Sequence, residues 1–316
     1  MTASDALAGP TATVPPCPPA LAITGLSHVY PDGTRALDDV TLAAGPGVLG
    51  LLGPNGAGKS SLMRSLATLQ VPTAGSVRFD DVDGVAEPER LRRTLGYLPQ
   101  EFGVYPGVSV RTMLDHMAVL KGLADRRARR DAVDAMLARV NLWAARGREL
   151  RTVSGGMRRR FGLAQALLGS PRLLLLDEPS AGLDPEERHR LLDLVAEAGE
   201  RAVVLLSTHL VEEAAAVCSR VAVLADGRIR LDGAPADLLA PLRGRVWRRA
   251  VDRADANATP SGATVVSARL LSGRTVLRVL ADAPPPGFKG AEPGLEDVYL
   301  ATVRASRQPP GRHGRG

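Results

Sequence analysis

The segment Gly53 to Ser61, GPNGAGKSS, constrains the fold of this 316-residue chain more than any other. It contains the spacing GxxxxGK[ST], with Gly53, Gly58, Lys59 and Ser60 at the defining positions. The apolar run VLGLL at 48–52 precedes it, and the helical pattern SSLMRSLATL follows. A strand, a glycine-rich turn and a helix in that order form a phosphate cradle. Glycines let successive backbone amides turn inward around an anion without interference from Cβ. The helix behind them adds the positive end of its dipole. Lys59 supplies a point charge to the β- and γ-phosphates of a nucleotide, and the Ser60 hydroxyl a ligand for Mg²⁺.

A second element is RLLLLDEPS, Arg172 to Ser180. An apolar strand delivers Asp177 and Glu178 at its C-terminal end, where open α/β sheets bind their ligands. Asp177 is expected to hold Mg²⁺, and Glu178, one residue on, to polarise an attacking water. The third is VSGGMRRR, Val153 to Arg160, which opens the helical pattern FGLAQALLG. Ser154 is a good N-cap, and Gly155 and Gly156 leave the helix start open to a second phosphate. One γ-phosphate is not served by two such sites in one chain, which points to a dimer in which each chain caps the other's nucleotide. Taken alone, the segment is also an ordinary N-capped helix.

Around these motifs, from about 20 to 240, short apolar runs alternate with helical patterns, as in an α/β domain with a largely parallel sheet. VLGLL, LLLL at 173–176, AVVLL at 202–206 and VAVL at 221–224 are apolar throughout, as strands buried on both faces are. A helical subdomain is expected at about 101–169. There Val110, Met113, Leu114 and Met117, and then Val133, Met136, Leu137 and Val140, recur at helical spacing. The charged stretch LADRRARRD between them reads as a solvated connection. Beyond 240, GRVWRRAVD, ATVVSARLL and RTVLRVLA read as strands of a small α+β appendage covering 241–304. APPPGFKG reads as a loop there and LEDVYLATV as a short closing helix. Residues 1–19 and 305–316 have the composition of disordered tails.

Aromatic residues are only 3% of the chain against 45% apolar overall, so the core is built mainly from Leu, Val and Ala. The formal charge of +6 suits an anionic membrane surface, nucleic acid, or simply a solvated exterior. Cys17 and Cys218 have neither a CxxC partner nor a nearby histidine, so a reducing cytosol is the expected compartment. No window approaches the roughly 18 to 20 apolar residues of a membrane helix. The N-terminus does not have the pattern of a signal peptide. A membrane role is therefore expected to come through a partner.

The order of phosphate loop, glutamine loop, SGG signature, acidic strand and histidine, over residues 21–235, resembles the nucleotide-binding domains of ATP-binding cassette (ABC) transporters. That resemblance implies a P-loop NTPase fold, with ATP and Mg²⁺ as ligands. It implies that Gly53, Pro54, Asn55, Gly56, Ala57, Gly58, Lys59, Ser60 and Ser61 surround the phosphates. Tyr30, in HVYPDGTRAL, lies where the family stacks an aromatic on adenine. Gln100, in GYLPQEFGVYP, matches the residue that senses Mg²⁺ and the attacking water. Ser154, Gly155 and Gly156 match the signature that reaches the γ-phosphate of the partner chain. Asp184, in AGLD, matches the loop connecting the two sites, and His209, in LLSTHLVEEA, the histidine that contacts the γ-phosphate. The implied catalytic set is Lys59, Gln100, Glu178 and His209, and the implied metal set Ser60, Gln100 and Asp177. Read singly, Tyr30 is also a packing residue, Gln100 a polar loop residue and His209 a capping or core histidine. Asp184, followed by Pro185, is also a helix N-cap. Their collinear order is what joins them.

Val153 and Met157 replace the first and last residues of the commoner LSGGQ signature, and Met157 cannot donate a hydrogen bond. SGGM followed by arginines, EFGVYP after Gln100 and LEDVYL at 295–300 are similar to drug- and antibiotic-exporter ATPases. The expected protein is an ATPase subunit that forms a homodimer and drives a separate integral-membrane permease from the cytoplasmic face of the membrane. Its closure would be transmitted through about 101–110, and no nucleic acid is expected as a partner. The alternatives are a soluble ABC ATPase acting on nucleic acid, ribosomes or cluster assembly, and a slow regulatory module. Against them stand the single cassette, the lack of a long coiled-coil insertion and the intact Glu178 and His209. A GTPase would carry NKxD, which is absent. No aromatics interleave the basic runs RRARR and RGRVWRR as a base-stacking surface would require.

Overall fold

The computed structural model describes residues 20–103, 106–252, 260–271 and 273–307. Residues 1–19, with Cys17, and 308–316 of the expected tails lie outside these residues, whereas 305–307, expected to be part of the disordered tail, close the last helix. An antiparallel sheet that the apolar runs do not single out comes first. Its order is β2-β1-β4-β5, from β1 (Leu21–Val29), β2 (Arg35–Ala44), β4 (Ala74–Phe79) and β5 (Val82–Asp83). β1 buries Leu21, Ile23 and Leu26 and β2 buries Leu37, Val40, Leu42 and Ala44, separated by less buried residues, so neither shows a continuous hydrophobic stretch in the sequence.

The central sheet has the order β10-β9-β3-β8-β7-β6. It is made of β3 (Gly47–Leu52), β6 (Leu95–Leu98), β7 (Leu173–Asp177), β8 (Val203–Thr208), β9 (Arg220–Ala225) and β10 (Arg228–Gly233). All pairs are parallel except β9 with β10. The four apolar runs read from the sequence are β3, β7, β8 and β9. Leu174 and Leu176 face one apolar cluster, and Leu173 and Leu175 the other. Both faces of β7 are therefore covered, which is why the run has no polar alternation.

The helices are α1 (Lys59–Leu66), α2 (Pro88–Thr94), α3 (Val110–Leu120), α4 (Arg126–Arg139), α5 (Gly155–Leu167), α6 (Pro185–Gly199), α7 (Val211–Val217), α8 (Pro235–Leu239) and α9 (Leu295–Arg307). The apolar stripes of α3 and α4 pack against α5 through Val110, Leu114, Val133, Leu137 and Phe161. The stretch LADRRARRD is not a solvated connection as expected, because most of it is the first half of α4. Asp125 caps that helix, its carboxylate accepting from the Ala128 amide at 2.7 Å. Arginine is a good helix former, and within the run Arg129 turns onto Asp115 at 3.0 Å while Arg126, Arg127 and Arg130 stay exposed.

The C-terminal strands β11 (Val246–Val251), β12 (Thr264–Leu271), β13 (Arg274–Leu280) and β14 (Lys289–Gly290) form a sheet of order β12-β13-β11-β14. The segment expected to be only a loop, APPPGFKG, thus supplies the short edge strand β14. Helix α9 runs on to Arg307, and its Val298 and Ala301 share one apolar cluster with Ala214 of α7 and Val221 of β9. Asp297 accepts from Arg278 at 2.8 and 2.6 Å and from the Gly294 amide at 2.9 Å, which ties the start of α9 to β13. Among the described residues no helix is long and apolar enough to cross a membrane.

Candidate active site

The C-terminal ends of β3, β7 and β8 carry the groups that the sequence singles out. After β3 the chain turns through Gly53–Gly58 into α1. A Cβ on Gly53 would meet the Leu224 carbonyl oxygen at 2.4 Å, so the loop lies directly on β9 and only glycine fits. Gly58, at φ 105°, has the left-handed backbone that lets the amides turn inward. Gly53→Ala is expected to lower stability by about 1–3 kcal/mol. Its thermal midpoint beside that of the wild type measures this.

Lys59 is 7% exposed, and its Nζ donates to the carbonyls of Gly53 at 2.7 Å and Pro54 at 3.1 Å. Burial pulls its pKa below the usual lysine range, while the Glu178 and Asp177 carboxylates act the other way. A cavity of about 760 Å³ opens in front of it, lined by Tyr30, the loop Pro54 to Ser61, Gln100, Glu178 and His209. The Tyr30 hydroxyl lies 2.9 Å from Ser61 Oγ, and its ring packs edge-on to His28 with centroids 4.7 Å apart.

Asp177 ends β7 at 2% exposure, and its Oδ1 has no hydrogen-bond partner. Leaving a carboxylate oxygen buried and unpaired is costly. A hard divalent cation is the partner this chemistry favours, so the residues fit a bound Mg²⁺. The next residue, Glu178, holds φ at 49°, and its amide donates to the Ser207 carbonyl at 3.0 Å. Left-handed backbone at a residue with a Cβ costs roughly 1–2 kcal/mol. His209 Nδ1 lies 3.3 Å from Glu178 Oε1. Thr208 just before it is fixed by donating to Glu213 Oε2 at 2.7 Å and accepting from the Leu210 amide at 3.0 Å.

The structure thus gathers Tyr30, the phosphate loop, Gln100, Glu178 and His209 into one cavity, while Asp177, the residue before Glu178, lines a neighbouring cavity that shares Gln100 with it. It leaves Ser154, Gly155, Gly156 and Asp184 outside that cavity. Ser154 caps α5, accepting from the Met157 amide at 3.2 Å, and is exposed, as is Gly155. Asp184 caps α6, accepting from the Glu187 amide at 2.9 Å. Met157 packs on the cluster of the helical subdomain, so its side chain has a core role in place of a hydrogen-bonding one.

The ABC transporter family profile matches residues 37–181. The chain is 36% identical to the daunorubicin/doxorubicin resistance ATP-binding protein DrrA of Streptomyces peucetius, over 89% of this chain and 92% of that protein. The chain belongs to the ABC transporter ATP-binding proteins. It is also 33% identical to the ABC transporter ATP-binding protein YxlF of Bacillus subtilis, over 81% of this chain and 90% of that one. A solved ATP-binding subunit of an ABC transporter superposes with a TM-score of 0.65 at 29% identity, covering 70% of this chain and 92% of that one. CbiO1 of Clostridium perfringens gives a TM-score of 0.63 at 26% identity, over 71% of this chain and 92% of that one. The chain is accordingly an ATP-binding cassette ATPase.

Sequence reasoning missed two features of this cassette. Thr34 and Arg35 also line the cavity, and their one signal is that they follow Tyr30 closely in HVYPDGTRAL. Arg159, in the run MRRR to which no separate role was assigned, is 6% exposed. Its signal is register, because Arg159, Leu163 and Ala166 lie on one helical face and all three are buried.

Proposed function

We propose that this cassette ATPase closes head to tail with a second copy of itself and couples Mg-ATP hydrolysis to export by a separate integral-membrane permease. The observation carrying the dimer is that a capped, glycine-opened helix start faces solvent, away from the chain's own phosphate cavity. In a head-to-tail pair Ser154, Gly155 and Gly156 would donate to the partner's γ-phosphate, and Asp184 would lie along the seam. The drug-resistance names of the relatives support the outward direction.

Tyr30 offers a face for the adenine, and the loop amides with Lys59 hold the phosphates. Ser60, Gln100 and Asp177 would hold Mg²⁺, which when bound neutralises charge on the phosphate oxygens. Glu178 accepts the proton of the attacking water, and His209, beside it, stabilises charge on the departing γ-phosphoryl group. Positioning and electrostatics supply most of the rate in such a transfer.

A larger cavity, about 1050 Å³, lies between the helical subdomain and the end of β6, with Gln100 on its wall. Arg64, Arg92, Arg93 and Lys121 line it, and Leu69 and Leu120 are exposed at its rim. A cytoplasmic segment of the permease with apolar and acidic residues suits this lining. Residues 104 and 105 of the expected transmission segment lie outside the described residues. The test is to capture tagged Glu178→Gln protein with ATP from detergent-solubilised native membranes. Co-purification of a multi-spanning membrane protein is the expected result, and recovery of ribosomes or nucleic acid alone would replace the permease with a soluble partner.

A further inference from the structure

Arg159 lies in the second turn of α5, on the helix that begins at the exposed signature. Every N–H of its guanidinium points at a backbone carbonyl. Nε donates to Pro179 at 3.1 Å, and Nη1 to Pro99 at 3.0 Å and Gln100 at 2.7 Å. Nη2 donates to Asp177 at 2.8 Å and also to Glu178. The carbonyls come from two segments far apart in sequence, one leaving β6 and the other leaving β7. The first carries Gln100 and the second Glu178.

A second observation is independent of those bonds. Glu178 sits in left-handed backbone, at φ 49°. Such a conformation persists only where the surroundings over-determine it. Arg159 supplies that restraint by binding the carbonyls of Asp177, Glu178 and Pro179 in succession. A guanidinium has five donors in a rigid planar fork. Lysine has three on one ammonium and cannot reach two separate segments in the same way, although it keeps the charge.

We propose that Arg159 is a positioning residue for hydrolysis. It fixes the backbone of Glu178 and of Gln100 to the signature helix, so that docking of Ser154 on the partner's nucleotide sets the geometry of the chain's own hydrolytic groups. This rests on the head-to-tail reading above and adds to it a route, within one chain, from one ATP site to the other. No other side chain is needed along that route, since Ser154 and Arg159 belong to one helix.

The test compares Arg159→Lys and Arg159→Gln with the wild type in full-length protein. The readouts are steady-state ATPase activity, direct ATP binding and the Hill coefficient for ATP. A small displacement of Glu178 and Gln100 is expected to lower kcat roughly 10- to 100-fold in both variants. ATP affinity should stay within about 3-fold of wild type, and the Hill coefficient should fall toward about 1. Wild-type kcat and cooperativity in Arg159→Lys would overturn the proposal and leave Arg159 as a buried counter-charge. Equal losses in binding and turnover, or loss of the wild-type circular dichroism spectrum in both variants, would make it a folding residue and overturn the proposal too. Glu178→Gln is assayed in parallel. Full activity there would instead bring down the underlying assignment of the base.

Discussion

Glu178→Gln is expected to bind ATP as the wild type does and to turn it over roughly 10²- to 10⁴-fold more slowly. The amide keeps the size and the hydrogen-bonding reach of the carboxylate but cannot take a proton from water. The side chain is 15% exposed, enough to meet solvent at the cavity wall and too little to be a free surface group. Its position depends on the left-handed backbone and on Arg159, neither of which the substitution touches. Binding and dimer closure should therefore survive, and ATP should hold the variant as a stable pair on size-exclusion chromatography with light scattering. Wild-type turnover in this variant would show that another group takes the proton. A variant that stays monomeric with saturating ATP would count against the head-to-tail pair while leaving the base assignment untouched.

Lys59→Ala is expected to weaken ATP binding itself, by roughly 10- to 100-fold, because a charge-assisted hydrogen bond to phosphate contributes about 1.5–3 kcal/mol. Lys59 is buried at the loop, and burial already works against its charge, as the lowered pKa records. With its pKa depressed in the folded state, the ammonium is a cost to folding at neutral pH, which the alanine removes. The two carbonyl bonds lost with it work in the other direction. The melting temperature without ligand should thus move only a few degrees, to a first approximation. The rise in melting temperature on adding ATP should nearly vanish, since that rise follows RT ln(1 + [L]/Kd). Unchanged affinity would remove Lys59 from the phosphate site.

The two expectations separate binding from chemistry within one cavity. In the proposed cycle Lys59 acts before the nucleotide is committed, and Glu178 after it. Arg159 belongs with Glu178 in this scheme, since its carbonyl partners include Glu178 and Gln100 and none of the phosphate loop.

The loop between β3 and α1, the DE pair at the end of β7, the capped start of α5 and the histidine after β8 are legible because each is a short run set by local order. GPNGAGKSS cradles phosphate wherever a strand delivers it and a helix follows. The all-apolar strands were legible because a strand covered on both faces cannot alternate. The antiparallel strands β1, β2 and β4 were not, since their buried positions are separated by less buried residues and β1 pairs out of simple register at several points. The run RRARR was misread as a connection because its charges hid a helix whose cap, Asp125, lies one residue ahead of it.

Local sequence therefore determined which groups this protein brings to the C-terminal ends of β3, β7 and β8: the loop, Lys59, Ser60, Asp177, Glu178 and His209. Only the tertiary structure decided how they stand to one another. It places Ser154 and Asp184 away from the chain's own cavity, sets His209 3.3 Å from Glu178, and turns Arg159 inward onto two distant segments. The physical reason is that these relations are set by strand order and helix register. Parallel pairing of β7 with β8 aligns Asp177 with Ser207, two residues before His209, across about 30 residues of intervening chain. No local pattern carries that distance.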